Sequence, residues 1–418
     1  MKKPELLMPA GSLEKLKIAF LYGADAVYCG VPRFSLRARE NEFRLETLKE
    51  AVEYAHNLNK KVYFTINGIP RNSKLPSFPR YIDEMAALKP DGLIMADPGL
   101  ILNTREMHPE LDIHISVQAN VMNYETVRFW QKIGATRVIL SREVSIPEVA
   151  EIKQKIPDME LEVFVHGAIC IAHSGRCLMS NYFKQRDANQ GTCNNACRDQ
   201  YKVFVTNPRQ NDELMEITED ESGTYLMNSK DLRAIEYIDE IVAAGVDSLK
   251  VEGRTKGEYY LALVARSYRK AIDDLVIGNP FDKALLEQLD KVASRRYFSG
   301  FLSRGLEKVT EEESDFQNYE EGNSRIQTQM YAGKIKRFDA ERMLGFLDIK
   351  NKVKIGDKLE IFMPGREDTE LIQIEEIFYY NKPKDVVSGG LGEVAFRFPF
   401  IVPENSFLSV LKNETVKT

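Results

Sequence analysis

Eight short apolar runs, nearly all followed by a stretch with helical spacing, limit what this chain can fold into. They are Leu6–Pro9, Ala26–Cys29, Val62–Ile66, Gly92–Ala96, Ile113–Val117, Arg137–Leu140, Leu161–Val165 and Ser248–Val251. Runs such as VYFTI and VFV are apolar on both faces, which fits parallel strands covered by helices. Ser12 is placed to cap a helix carrying Leu13, Leu16, Ala19 and Phe20 on one stripe. Asn123 to Lys132, with the single tryptophan Trp130, reads as another helix. Eight such units are the count of a TIM-like (β/α)8 barrel. A doubly wound open sheet is the alternative, but it needs no eighth strand.

The seventh unit breaks the rhythm. More than sixty residues separate Val165 from the helical stretch Asp231–Ala244, and an insertion over residues 168–227 fills most of that gap. Loops this long in compact domains are usually functional or carry structure of their own. The insertion holds four of the five cysteines, Cys170, Cys177, Cys193 and Cys197, separated by six, fifteen and three residues. A polar segment, Phe204–Tyr225, then reads as a hairpin. Four thiols in one short segment of a cytosolic-looking chain point to a metal site before disulfides. Structural zinc wants four thiolates, usually as two close pairs, and the first pair here is wide. An iron–sulfur cluster also takes four thiolates, with looser spacing. Inert core thiols are the bland reading, and clustering argues against it. Between iron–sulfur and zinc, spacing does not decide.

The chain's 418 residues allow a large domain plus a small one. The barrel is expected over residues 1–310, an acidic linker over 311–325, and a small C-terminal β-barrel domain over 326–418. The last rests on short alternating segments such as MYAGKIKRF, MLGFLDI and GEVAFRF. No apolar run is long enough to cross a bilayer, so no membrane partner is expected, and a cytoplasmic location is. The formal net charge of −6 disfavours a whole-surface nucleic-acid binder and leaves room for a local basic patch.

In a barrel of this type the site lies at the strand C-termini. The residues there are Ala10-Gly11-Ser12, Gly30, Asn67-Gly68, Asp97-Pro98, Gln118-Ala119-Asn120, Ser141-Arg142-Glu143, His166-Gly167 and Glu252-Gly253-Arg254. For any one of them, helix capping is the bland reading. As a set they describe a polar mouth. Arg33, Arg37, Arg39, Arg71, Arg142, Arg176, Arg186, Arg198 and Arg254 fall on these loops or in the insertion, where guanidinium groups suit phosphate or carboxylate. Pairing with Glu40, Glu42, Glu143 and Glu252 is their bland reading. His166 and His173 flank Cys170, and a Cys–His pair can activate a thiolate, which is the basis for a peptidase reading. The chain has no His-Glu-x-x-His and no Gly-x-Ser-x-Gly. The dinucleotide-like letters from Gly390 lead into a strand pattern, so they read as a turn. Cys29 reads as a packed core thiol.

Glu162-x-Phe164-x-x-Gly167-Ala168-x-Cys170, followed by Gly175-x-Cys177-x-x-Ser180, resembles the signature of the U-thirty-two peptidase family. PELLMPAGSLEKLKIAFLYGADAVYCG and LKVEGRTKGEYY resemble the same family, and the resemblance runs along nearly the whole chain. Length and order are most similar to its tRNA-modifying branch. That resemblance implies a four-cysteine iron–sulfur cluster of the 4Fe-4S kind on Cys170, Cys177, Cys193 and Cys197. It also implies oxygen-independent hydroxylation of the wobble uridine of tRNA, with prephenate, a small dicarboxylate, as hydroxyl source. Arg142 and Arg254 are then the expected grips for the dicarboxylate, and Asn120 and His166 the groups that orient the reacting parts. Relatives that work in pairs make a protein partner an expectation. The family's older label, collagenase-like peptidase, and a noncatalytic RNA-binding protein with a structural cluster are the competing readings.

Overall fold

The computed structural model describes residues 2–36, 41–169, 173–177, 180, 186–193, 203–207, 210–217, 230–292, 294, 296–306 and 329–411. Cys170, Cys197, Arg37, Arg39, Arg198 and the expected linker lie outside the described residues.

The eight runs form eight parallel strands: β1 (Glu5–Ala10), β2 (Ala26–Gly30), β3 (Lys61–Ile66), β4 (Gly92–Met95), β5 (Ile113–Ile115), β6 (Arg137–Ile139), β7 (Glu160–Ala168) and β8 (Ser248–Val251). Each pairs with the next as far as β7; β8 then pairs with both β7 and β1, which closes the barrel. The helices between them are α1 (Leu13–Leu21), α2 (Leu45–Asn57), α3 (Phe78–Ala86), α4 (Pro98–Met107), α5 (Tyr124–Lys132), α6 (Ile146–Lys155) and α7 (Ile238–Ala243), with α8 (Glu258–Ile277) after β8. Local chemistry starts them. Ser12, Asp97 and Asn123 accept from the backbone N–H of Lys15, Leu100 and Thr126, and Ser145 with Glu148 forms a capping box on α6. The bland reading therefore holds for Ser12 and Asp97. Among the described residues no helix is long and apolar enough to cross a membrane.

Most barrels of this architecture fill their interior with branched apolar layers. Here the lower interior is charged. Glu162 is fully buried and accepts from Lys250 Nζ at 2.5 Å and from Arg137 Nη1 at 3.2 Å. Arg137 also meets Glu5 at 2.6 Å and Glu160 at 2.8 Å. Tyr63 and Ser248 donate to Glu5 at 2.6 Å and 3.0 Å. Burial pushes the Lys250 ammonium below the ordinary lysine value, and Glu162 pulls it back up. The network ties β1, β3, β6, β7 and β8 together across the barrel axis.

After β7 the chain leaves the barrel. An antiparallel hairpin, Val203–Asn207 with Gln210–Ile217, overlaps the stretch Phe204–Tyr225 expected to hold one. Residues Asp231–Arg233 then return antiparallel to the end of β7. The C-terminal region is an eight-stranded antiparallel sheet. Its strand order is 369–373, 358–362, 407–411, 329–339, 344–349, 394–397, 377–379 and 382–384, with a separate ladder of 353–354 against 386–387. It has its own apolar cluster, which includes Ile335, Ile361, Phe396 and Leu408. The stretch after Gly390 is a turn into the strand Val394–Arg397, not a helix. Phe362 and Phe407 instead join the barrel's core, stacked on each other at 5.4 Å beside Tyr22 and Tyr259. The Lys334–Glu258 pair at 2.6 Å and the Lys291–Glu360 pair at 2.5 Å complete the seam.

Removing one member of a buried ion pair leaves its partner desolvated and uncompensated, at a cost of about 3–5 kcal/mol. Glu162→Gln is expected to lower unfolding stability by that amount in denaturant titrations with unchanged slope. The double change Glu162→Gln/Lys250→Met should recover much of it. A loss under about 1 kcal/mol in the single variant would show that the network is not structural.

Candidate active site at the barrel mouth

The loops after β2 and β3 are braced from β8. Arg254 donates to Thr65 Oγ1 at 3.0 Å, Leu36 O at 3.0 Å and Ser35 Oγ at 3.4 Å. Gly30 leaves room for this approach: a Cβ there would stand 2.9 Å from Arg254 Nη1, so the guanidinium would have to shift. Asn67 extends the brace by accepting from Leu36 N at 3.1 Å and donating to Ser116 Oγ at 3.4 Å. Arg254, expected to grip a dicarboxylate, thus spends these bonds on neutral oxygens of the fold and shapes one wall of the mouth.

Arg142 is placed differently. Its guanidinium lies 3.9 Å over the ring of Phe164, the inward-facing β7 residue above Glu162. It makes no ion pair among the described residues. A half-buried guanidinium on an aromatic face keeps its charge and retains donors for an incoming anion.

The insertion is fastened across the mouth at several points. Glu143 accepts from Ser174 N at 2.8 Å and from the Ser174 hydroxyl, and Arg142 N donates to Ser174 Oγ at 3.1 Å. Asn120, in the left-handed region at φ 52°, donates from Nδ2 to the carbonyl of His173 at 3.3 Å and lies 3.0 Å from its Nδ1. Arg176 Nε reaches Gln118 O at 3.4 Å, and Ile69 N donates to Asn189 O at 3.2 Å. Asn120 is therefore a rim-to-insertion clasp. His173, exposed, is its partner.

Beyond these clasps lie the two described cysteines of the insertion. Cys177 and Cys193 form no disulfide among the described residues, and both are half-buried. Asn189 Nδ2 donates to Cys177 O at 3.1 Å, and Ser180 Oγ lies 3.5 Å from Cys193 Sγ. Unbridged thiols held on a polar scaffold suit a soft metal or cluster. Among the described residues, no three His, Cys, Asp or Glu side chains converge as a metal site. Cys29, by contrast, is sealed in the core, where burial raises its thiol to about 12.

Two cavities open beside the insertion and share Ile69 and Pro70. One, of about 230 Å³, lies between the loops at Pro32–Ser35 and Gly68–Lys74. The other, of about 330 Å³, is lined by Arg71, Arg176, Asp187 and Asn189. Arg33, Lys74, Arg71 and Arg176 give this groove a basic lining; among the described lining residues Asp187 is the one carboxylate, 3.9 Å from Arg71.

His166 does not reach the mouth. Strict alternation after Glu162 and Phe164 would turn it inward. However, β7 carries a bulge: Lys250 pairs with Phe164 and Val251 pairs with His166. The extra residue turns the imidazole outward toward α8. There it is fully buried, within 5.9 Å of the rings of Tyr260, Tyr268 and Tyr297.

A family model for Peptidase family U32 matches residues 11–312. The chain belongs to peptidase family U32. It is 45% identical to tRNA hydroxylation protein P of Haemophilus influenzae, covering 95% of this chain and 93% of that protein. It is 48% identical to tRNA hydroxylation protein P of Escherichia coli, covering 87% of each. It is 31% identical to a collagenase of Porphyromonas gingivalis, covering 90% of each. In this U32 chain the signature's Glu162 is the carboxylate of the barrel's buried ion network, so part of that motif serves the fold directly.

Burial, then the charges of Arg233 and Lys256, hold His166 down to about 3, from an ordinary 6.5. Between those values the unfolded chain binds a proton that the fold excludes. The stability from neutral His166 is thus complete above pH 6.5 and is lost as pH falls toward 3. The contribution is about 1.4 kcal/mol per pH unit. Between about pH 6 and pH 4, His166→Phe is expected to flatten the stability–pH curve by about that slope. An unchanged slope would place the imidazole in contact with water.

Proposed function

We propose that this chain is an enzyme that hydroxylates the wobble uridine of tRNA at C5, using an iron–sulfur cluster held by Cys170, Cys177, Cys193 and Cys197. The observation that carries the reading is the clasped insertion: Glu143–Ser174 and Asn120–His173 hold the segment bearing Cys177 against a rim that also presents Arg142. The tRNA-hydroxylating relatives supply the substrate class. When bound, the cluster supplies one-electron chemistry to the mouth. A prephenate-type dicarboxylate is the proposed hydroxyl source, and Arg142 is the residue proposed to hold one of its carboxylates. The basic groove of Arg33, Lys74, Arg71 and Arg176 is proposed to hold phosphates on either side of the target base.

The other arrangements have less support. Peptide hydrolysis needs an activated thiolate or a hydrolytic metal. His166 is sealed away from solvent, and His173 is engaged by Asn120. Cys170, the thiol they flank in sequence, lies outside the described residues.

The test is nucleoside mass spectrometry of tRNA from a strain lacking this gene. The wild type is expected to restore 5-hydroxyuridine, and Cys193→Ala to restore none. Arg142→Ala should lower the yield roughly tenfold or more at equal protein level, the scale of one lost charge-assisted hydrogen bond. Full restoration by Cys193→Ala would reject a required cluster.

A further inference from the structure

The proposed tRNA reading uses only the barrel mouth, yet the structure carries a second basic surface far along the chain. In a protein of net charge −6, six lysines crowd two short segments of the C-terminal sheet: Lys350, Lys352, Lys354 and Lys358, then Lys382 and Lys384. The fold brings the segments side by side. Val353 and Lys354 pair with Val387 and Val386, and Ile355 N donates to Asp385 O at 2.9 Å. Val353 and Val387 are the buried members of that ladder, so Lys352 and Lys354, flanking Val353, project outward.

Many lysines elsewhere in the molecule are tied to carboxylates. Lys17, Lys60, Lys153, Lys250, Lys270 and Lys291 each meet a carboxylate. Among the described residues, Lys352, Lys354, Lys358, Lys382 and Lys384 meet none, and all five are exposed. Lys350 alone has a partner, Asp348 at 3.0 Å. The nearby Asp357 is turned to the backbone N–H of Lys354 at 2.9 Å, and Asp385 is the remaining carboxylate of the two segments. An exposed aromatic shares the hairpin of Lys382 and Lys384. Tyr380 and Asn381, with φ 46° and 60°, form the hairpin turn between 377–379 and 382–384, and Tyr380 is 58% exposed.

Unpaired lysines that release counterions, beside a ring able to stack on a base, are the chemistry of RNA contact. We propose that this lysine face of the C-terminal sheet is a second tRNA-binding surface, which grips the RNA backbone while the mouth holds the target base. This inference rests on the tRNA reading and extends it to a part of the chain that reading leaves unused.

The experiment measures binding of an unmodified tRNA transcript to the full chain across a series of salt concentrations. Lys352→Gln/Lys354→Gln/Lys384→Gln is expected to weaken binding at least tenfold and to reduce the slope of log affinity against log salt by about two to three. Tyr380→Ala should weaken binding about tenfold with the slope unchanged, because stacking releases no counterions. If the wild type binds and the triple variant matches it in affinity and slope, this surface is overturned and the tRNA reading stands. If the wild type does not bind, the tRNA reading fails and takes this surface with it. Lysine-dependent binding to phosphatidylserine vesicles, with tRNA binding unaffected by the triple variant, would overturn it in favour of a membrane contact.

Discussion

A single buried carboxylate, Glu162, sets the frame for everything above it. It is shared by Lys250 from β8 and Arg137 from β6, and through Arg137 it connects to Glu5 on β1. Ion pairs in a low-dielectric interior tolerate little error in position, so the network fixes how these strands stagger around the axis. The same strands end in functional loops. Strand β6 leads into Arg142 and Glu143, β7 into the cysteine insertion, and β8 into Arg254. A shift that disturbs Glu162 therefore moves the whole rim.

Above that frame the work is divided. Arg254 and Asn67 hold the loops after β2 and β3, and Asn120 and Glu143 hold the insertion. Arg142, resting on Phe164, is left with charge to offer. The bulge in β7 adds a second consequence. By turning His166 outward into an aromatic cage, it removes an imidazole that would otherwise have stood in the mouth.

The barrel was legible in the sequence because its signals are local. Eight apolar runs of strand length, most followed by helical spacing and some by a capping residue, specify the eight strands closely, whereas the stretch Asp231–Ala244, read as helical, opens as the strand Asp231–Arg233 and is an α-helix only over Ile238–Ala243. The ion network was not legible, since Glu162 and Lys250 lie far apart in sequence and each falls inside an otherwise apolar run. His166 was misplaced because a strand's alternation carries no mark of a bulge. The bonds from Arg254 to Thr65, Ser35 and Leu36 were not legible either, since these residues lie far from it in sequence. The lysines of the C-terminal sheet were visible one by one, but their convergence depends on the pairing of 353–354 with 386–387.

The proposed redox cluster would sit on the segment clasped over the mouth. Iron, acid-labile sulfide and zinc analysis of protein purified without air tests it most directly. Iron and sulfide are expected in equal amounts, both lost when Cys177 or Cys193 is replaced by alanine. Zinc in place of iron, or cluster content unchanged by those substitutions, would contradict it.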